Sequence, residues 1–143
     1  MRTIRLTVLL GVAVALSASC SMLGAKKVFP SDDDLRREYK ESSEKFKAKY
    51  DGKEVSVWGK AGTLSITDSS SIVYFETNTD SSVSGTPSIT CYVDSPDSAR
   101  FKELKVESGT LIRIKGKMKL EAGTMRLENC KLEKVGSSAL SDE

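Results

Sequence analysis

The sequence predicts a mainly β protein, a five-stranded barrel preceded by one α-helix. The apolar residues repeat with a helical period from residue 31 to residue 51, and from Lys53 onward they alternate as in a β-strand. Five strand-like runs follow, with a short helical run between the third and the fourth. Gly59 interrupts the first run, as in a long strand that bends. This order of elements is that of the five-stranded OB-fold barrel.

Residues 1–19 have the features of a secretory signal peptide and are excluded from the fold. Arg2 and Arg5 precede an apolar stretch over residues 8–16, which ends in Ser17-Ala18-Ser19-Cys20. The apolar stretch is about half of the roughly 20 residues that a permanent transmembrane helix requires. We therefore expect an exported protein whose signal peptide is removed.

Cys20 is the predicted lipidation site. The segment before it resembles a bacterial lipobox, although Ser17 stands where the usual pattern has Leu. The three cysteines favour lipidation, because an odd number in an exported protein leaves one unpaired. A Cys20 bearing diacylglycerol and palmitate would anchor the protein in the bacterial cell envelope, on the periplasmic or the outer-membrane side. Residues 20–30 would be the tether. Cleavage after Ser19 by an ordinary signal peptidase, or a retained anchor, are the alternatives.

Residues 31–51 are predicted to form one amphipathic helix that packs on the barrel. Ser31 is a candidate N-cap, and three aspartates follow it, where a helix N-terminus favours negative charge. Asp51-Gly52 is a turn signal that ends the helix. A partner-binding helix is the alternative interpretation. The apolar stripe consists of Leu35, Tyr39, Phe46 and Tyr50.

The predicted barrel occupies residues 53–135. In the fifth strand the apolar phase changes between Leu127 and Cys130, which predicts a bulge near Glu128-Asn129. Residues 136–143 are predicted to be a flexible tail. The five predicted strands cover residues 55–66, 72–77, 87–93, 110–118 and 124–132, and the short helix begins at residues 94–97.

Several short motifs in this order carry a family resemblance. The sequence resembles the tRNA_anti-like OB-fold domains of bacterial lipoproteins over about residues 33–135. The resemblance implies an OB fold and an envelope location. It implies no reaction and does not establish RNA binding, because a fold does not fix a function. The motifs are Tyr50-Asp51-Gly52-Lys53, Val55-Ser56-Val57-Trp58-Gly59-Lys60, Cys91-Tyr92, Gly109-Thr110, Ile112-Arg113-Ile114-Lys115-Gly116-Lys117 and Leu127-Glu128-Asn129-Cys130.

Cys91 and Cys130 form the predicted disulfide. They fall on the third and fifth strands, which pair in an OB barrel, so the two side chains can lie side by side. In an oxidising compartment a disulfide closing a loop of about 40 residues would stabilise the fold by roughly 3–4 kcal/mol, less any strain. Two buried free thiols are the alternative. With two barrel cysteines and no histidine, we expect no metal site, and we expect no cofactor.

Trp58, Tyr74 and Tyr92 are the candidate ligand-binding aromatics. Trp58 and Tyr92 are out of phase with the apolar residues of their strands and should point outward, where aromatic rings can stack on bases or sugars. The period leaves the face of Tyr74 open. Packing against the N-terminal helix is the alternative for Trp58, and a solvated edge strand is the alternative for the basic run at residues 115–119. The candidate phosphate-binding residues are Lys60, Arg113, Lys115 and Lys117.

The amino-acid composition limits the classes of function that the protein can have. Without histidine the chain has no Ser-His-Asp or Cys-His catalysis, and no spacing singles out another catalytic pair, so we expect no enzyme. Once residues 1–19 are removed, 20 bases stand against 20 acids, whereas polynucleotide-binding proteins normally carry a basic excess. We expect an envelope-anchored OB-fold binding or adaptor module for a protein, peptide or glycan. Single-stranded nucleic-acid binding by its outer face, or a structural subunit, are the alternatives.

Overall fold

The structure is a computed structural model that describes residues 29–77 and 83–140. The predicted signal peptide, Cys20, residues 20–28 of the predicted tether and residues 141–143 of the predicted tail lie outside the described residues. Within the two described ranges, no helix has the length and apolar character needed to cross a membrane.

Five strands close into a barrel in the order β1-β2-β3-β5-β4. The β3–β5 pair is parallel and the other pairs are antiparallel. The predicted mainly β class, the OB-type barrel, the N-terminal helical region and the helix between β3 and β4 are therefore confirmed. The elements are α1 (Asp32–Glu41), α2 (Ser43–Tyr50), β1 (Glu54–Ile66), β2 (Ser70–Phe75), β3 (Ile89–Asp94), α3 (Asp97–Glu103), β4 (Leu111–Glu121), β5 (Thr124–Val135) and a 3₁₀ helix (Gly136–Leu140).

Strand β1 is long because it pairs with two neighbouring strands. Its first half pairs with β4 and its second half with β2, and the register shifts between Ala61 and Leu64. Gly59 lies just before this shift, and a Cβ there would come within 2.6 Å of Asp32 Oδ1. The glycine therefore lets the start of α1 pack directly against β1.

The predicted bulge in β5 is present at Asn129. This residue has a φ of 53°, and the β4–β5 register steps from Lys115–Lys131 to Lys117–Glu128 across it. The extra residue turns the following side chains back into the barrel, so Cys130 is buried on the same side as Leu127. Alternating side chains from all five strands fill this interior.

The predicted single N-terminal helix is two helices that meet at Ser42. Ser42 has a φ of −161° and caps α2, because its hydroxyl accepts a hydrogen bond from the Lys45 backbone N–H. Serine side chains favour such caps over helix interiors. The apolar stripe survives the break: Leu35 and Phe46 are buried in the core, and Tyr39 and Tyr50 pack against it. Ser31 caps α1 in a capping box with Asp34, as predicted for the N-cap.

Helix α3 lies at the turn between β1 and β2. The Ser98 hydroxyl donates to the Thr67 carbonyl at 2.6 Å, and Phe101 is fully buried.

Residues 136–140, which the sequence predicts to be part of a flexible tail, form the 3₁₀ helix. Gly136, with a φ of 76°, turns the chain back so that Ala139 is buried.

Candidate ligand-binding surface

The predicted ligand-binding residues do not form one site. Tyr74 and Tyr92 lie on β2 and β3, whereas the remaining five lie on β1 and β4. The two groups therefore occupy different outer walls of the barrel and are described in turn. The five residues on β1 and β4 are Trp58, Lys60, Arg113, Lys115 and Lys117.

Residues Phe29, Pro30 and Ser31, here called the N-terminal clasp, cover the outer wall at Trp58. The Trp58 indole N–H donates to the Phe29 carbonyl at 2.9 Å, and the Trp58 backbone N–H donates to the Pro30 carbonyl at 3.2 Å. Ser31 forms an isolated parallel bridge with Trp58. The polar atom of the indole is thus engaged inside the protein. This agrees with the packing alternative, although the clasp rather than the helical stripe provides the cover.

Arg113 is buried beneath the same clasp, with 3% of its surface exposed. Its guanidinium lies 4.0 Å from the centre of the Phe29 ring, and its Nε lies 3.1 Å from Glu133 Oε2. Arg113 is therefore engaged inside the folded protein, and its role as a phosphate-binding residue stays a prediction. The alternation of β4 correctly points this side chain outward but carries no information about the segment that covers it.

The basic run at residues 115–119 of β4 does not lie on an open edge of the sheet. Strand β4 pairs with both β1 and β5, so it is not an edge strand. Lys115 forms an ion pair with Glu54, and Lys119 lies 3.6 Å from Glu128. Lys60 and Lys117 are exposed. These cations are interspersed with acids and form no uniform basic patch.

Tyr74 and Tyr92 lie together on the outer wall of β2 and β3. They are 39% and 37% exposed, the largest aromatic exposures within the described residues. Tyr74 pairs with Thr90, and Tyr92 is the next outward residue of β3, so the two rings are diagonal neighbours. The Arg126 guanidinium lies 5.9 Å from the centre of the Tyr92 ring. We call Tyr74, Thr90, Tyr92 and Arg126 the tyrosine face.

The chemistry of the tyrosine face is that of a stacking platform. Each phenol presents a flat apolar body and a hydroxyl that both donates and accepts hydrogen bonds. Arg126 adds a planar cation, which also pairs with Glu121. Such a surface suits sugar rings, proline or aromatic side chains, and unstacked bases. No group of three His, Cys, Asp or Glu residues that could hold a metal occurs in the parts of the chain that the structure describes.

Sequence reasoning missed a cavity of about 460 Å³ beside the clasp. Its principal feature is the Asp32 carboxyl, which is 6% exposed and packs against Gly59. Burial, with the nearby Asp33 charge, raises the pKa of Asp32 to about 7, against the lowering effects of Arg36 and of backbone N–H groups. In the sequence Asp32 is one of three aspartates that follow the predicted N-cap. The cavity is lined by Ser31, Asp32, Asp33, Trp58, Gly59, Lys60, Glu76, Thr77 and Leu111.

Cys91 and Cys130 are both buried as free thiols. The Cys130 thiol donates to the Leu127 carbonyl at 3.1 Å. Burial, reinforced by Cys130 and by the Asp32 charge, raises the pKa of the Cys91 thiol well above its usual range. The disulfide between them stays a prediction.

Comparison with known proteins identifies similar folds. No protein-family model and no curated protein matches the sequence. A crystal structure of a candidate nucleic acid-binding lipoprotein from Klebsiella pneumoniae subsp. pneumoniae MGH 78578 is similar, with a TM-score of 0.55, 20% identity, and coverage of 74% of this chain and 92% of that chain. OBody AM3L15 bound to hen egg-white lysozyme gives a TM-score of 0.45 and 15% identity over 78% of this chain and 94% of that chain. The Klebsiella likeness shows a shared fold.

Proposed function

We propose that this protein is an exported, lipid-anchored binding module that uses its tyrosine face to bind a protein, peptide or glycan. One observation carries the proposal. Tyr74 and Tyr92 stand exposed side by side on the β2–β3 wall, where OB folds bind their ligands. The other candidate aromatic, Trp58, is half-buried, and its indole N–H is bound by the N-terminal clasp. Binding without catalysis is part of the proposal.

The electrostatics of the tyrosine face favour an uncharged or weakly charged ligand. Arg126 pairs with Glu121, and Lys119 on the neighbouring strand lies between Glu121 and Glu128. After removal of residues 1–19 the chain has equal numbers of bases and acids. A polyanion is attracted by a basic excess, which this face does not supply. The tyrosine face is better suited to sugar rings and to proline-rich or aromatic peptide segments than to a polyanion.

Single-stranded nucleic acid is the second candidate ligand. Aromatic side chains on strands two and three are what OB folds use to stack bases, and the similar Klebsiella structure is described as that of a candidate nucleic acid-binding lipoprotein. The resemblance to tRNA_anti-like domains points to the same fold. Binding of this kind weakens steeply as salt rises, because each phosphate contact releases counterions.

The lipid anchor is the remaining part of the proposal. It is supported by the lipobox-like segment that ends at Cys20, and the Klebsiella structure is described as a lipoprotein. The clasp begins nine residues after Cys20. Nine residues span at most about 30 Å when fully extended, so the anchor would hold the barrel close to the membrane surface.

Binding by the full mature chain to defined probes tests the proposal. The probes are a glycan array, a library of proline-rich and aromatic peptides, and a 15-nucleotide deoxythymidine strand. We expect a glycan or peptide ligand whose affinity falls by roughly 5- to 100-fold in Tyr74→Ala and in Tyr92→Ala, the range typical of a lost stacking contact. Leu104→Ala is the matched control, because Leu104 is also exposed, at 44%, but lies after α3.

The outcomes separate the candidates. A ligand that both tyrosine variants bind at full affinity would contradict the assignment of the tyrosine face. Tight binding of the oligonucleotide that is lost as salt rises, and lost in both variants, would establish the second candidate in place of the first.

A further inference from the structure

The β3–β5 pair closes the barrel over a short stretch. It is parallel, and its register comprises Ile89–Met125, Thr90–Arg126 and Cys91–Leu127. Cys91 is fully buried at the end of this register. The next inward-facing residue of β5 after Leu127 is Cys130. The two cysteines therefore flank the point where the closing ladder ends.

The bulge in β5 is what turns Cys130 toward the interior. Met125 and Leu127 face inward, so strict alternation would place residue 129 inside and residue 130 outside. Asn129 takes a left-handed conformation, with a φ of 53°, and adds one residue to the strand. Cys130 is consequently buried, with 1% of its surface exposed.

A glycine on the neighbouring strand makes room for the Cys130 sulfur. A Cβ at Gly116 of β4 would lie 2.7 Å from Cys130 Sγ, a distance too short for any larger residue. The bulge at Asn129 of β5 and Gly116 of β4 lie on different strands, and together they allow the Cys130 sulfur to lie in the interior. The Cys130 sulfur therefore lies in the barrel interior, where Cys91 is also buried.

We propose that Cys91 and Cys130 form an intramolecular disulfide that closes the barrel when the protein folds in an oxidising compartment. The proposal rests on the export of the chain, which is part of the proposed function. Both thiols are inaccessible in the folded protein, and burial keeps the Cys91 thiol protonated. Thiol–disulfide exchange requires a thiolate, so the bond forms before the barrel closes around the pair.

The oxidant is a small-molecule or protein disulfide. The thiolate of one cysteine attacks a sulfur of the oxidant's disulfide, which gives a mixed disulfide and releases one oxidant thiol. The thiolate of the other cysteine then attacks the mixed disulfide and releases the second oxidant thiol. In sum, Cys91 and Cys130 lose two protons and two electrons, and the oxidant disulfide is reduced to two thiols.

Refolding of the full mature chain from denaturant in a buffer of oxidised and reduced glutathione tests the geometry independently of export. A Cys20→Ser background leaves only Cys91 and Cys130. We expect an intramolecular cross-link between the tryptic peptides that carry them, with a mass about 2 Da below that of the reduced pair. Cys130→Ala in the same background is the control and should give no intramolecular cross-link. Two fully alkylated thiols after refolding would overturn the proposal.

Thermal unfolding gives a second readout. The cross-link closes a loop of about 40 residues, so reduction should lower Tm by roughly 10–20 °C, whereas a Cys91→Ala/Cys130→Ala double variant should not respond to reductant.

Protein recovered from cell envelopes distinguishes failure of the proposed disulfide from failure of the proposed lipid anchor. A lipidated chain with both barrel thiols free would overturn the disulfide. A linked pair on a chain without lipid would support the disulfide and contradict the anchor.

Discussion

Asp32 and Asp34 show how two acids in one helical turn acquire opposite properties. Burial would raise the pKa of Asp34, but hydrogen bonds with Ser31 and Arg37 outweigh it and lower that pKa. Asp32 faces inward against Gly59, where burial dominates and raises its pKa to about 7. The difference arises from the direction in which each side chain points from α1.

The raised pKa makes the folded state prefer protonated Asp32. Its pKa is about 7 in the folded protein, and the unfolded chain has the ordinary aspartate value of 3.8, so folding takes up a proton between these values. The stabilisation is complete below about pH 4, declines as pH rises toward 7 and is absent above it. The charged groups around Asp32 are Asp33 and Arg36 on α1, with Lys60 and Glu76 across the cavity.

Replacement of Asp32 by asparagine tests this prediction. We expect the free energy of unfolding of the native protein to decrease between pH 4 and pH 7, and this slope to be reduced in Asp32→Asn, which cannot ionise. Denaturant unfolding at several pH values measures it. Asp34→Asn is the matched control, because the lowered pKa of Asp34 acts in the opposite direction: its stabilisation is present above pH 4 and is lost as the pH falls. Equal slopes in the native protein and in Asp32→Asn would contradict the prediction.

At the scale of elements, the N-terminal clasp attaches α1 to the barrel wall. Its three residues supply two carbonyl acceptors to Trp58 and one aromatic ring over Arg113. The ring covers a guanidinium that also pairs with Glu133. Because the clasp directly precedes the Ser31 cap, its position fixes where α1 begins and therefore where Asp32 meets β1.

Removal of the Phe29 ring tests the role of the clasp. Phe29→Ala removes the ring that packs over Arg113 and should loosen the clasp, whose backbone carbonyls accept hydrogen bonds from Trp58. We expect a destabilisation of about 2–4 kcal/mol, somewhat below the usual cost for a core phenylalanine because Phe29 lies on the outer wall of the barrel. Trp58 is the single tryptophan, so its emission reports the change: we expect a red shift and stronger quenching by acrylamide. Leu140→Ala removes a 46% exposed side chain elsewhere and should leave the emission unchanged. An unchanged spectrum in Phe29→Ala would show that the Phe29 ring does not hold the clasp on Trp58.

Local patterns predicted the elements well, because each depends on neighbouring residues. Alternation located the five strands, the phase change located the bulge at Asn129, and Ser31 located the start of α1. The break at Ser42 was also encoded locally, in a pair of serines, but the continuous apolar stripe concealed it.

The candidate site was harder to predict, because it depends on which segments meet. Alternation shows that Trp58 and Arg113 point outward, yet the residues that cover them precede the helix and have no periodic pattern. The burial of Asp32 likewise depends on Gly59, which lies 27 positions further along the chain. Tyr92 was placed correctly, since no described segment packs over its wall of the barrel.

For the whole molecule, the order of strands around the barrel places the proposed anchor attachment and the proposed binding surface on different walls. The clasp lies on the seam between β1 and β4, and the chain from the proposed anchor arrives there. In the ring β1-β2-β3-β5-β4, strand β3 lies across from that seam. The tyrosine face is centred on β3, so the proposed binding surface and the arrival of the tether are on opposite walls. A ligand at Tyr92 would therefore approach without competition from the clasp.

This separation predicts that loss of the anchor changes location and leaves binding intact. In a bacterial host that processes lipoproteins, the native chain should incorporate a labelled fatty acid and partition into detergent, whereas Cys20→Ser should lose the label and move to the aqueous phase. The Tm and the ligand affinity of the purified chain should not change, because Cys20 precedes the first residue of the clasp by nine positions. The Cys91→Ala/Cys130→Ala variant is the matched cysteine control and should keep the label. Label retained in Cys20→Ser, or absent from the native chain, would contradict the anchor, and a loss of affinity in Cys20→Ser would mean that anchor and tyrosine face are coupled.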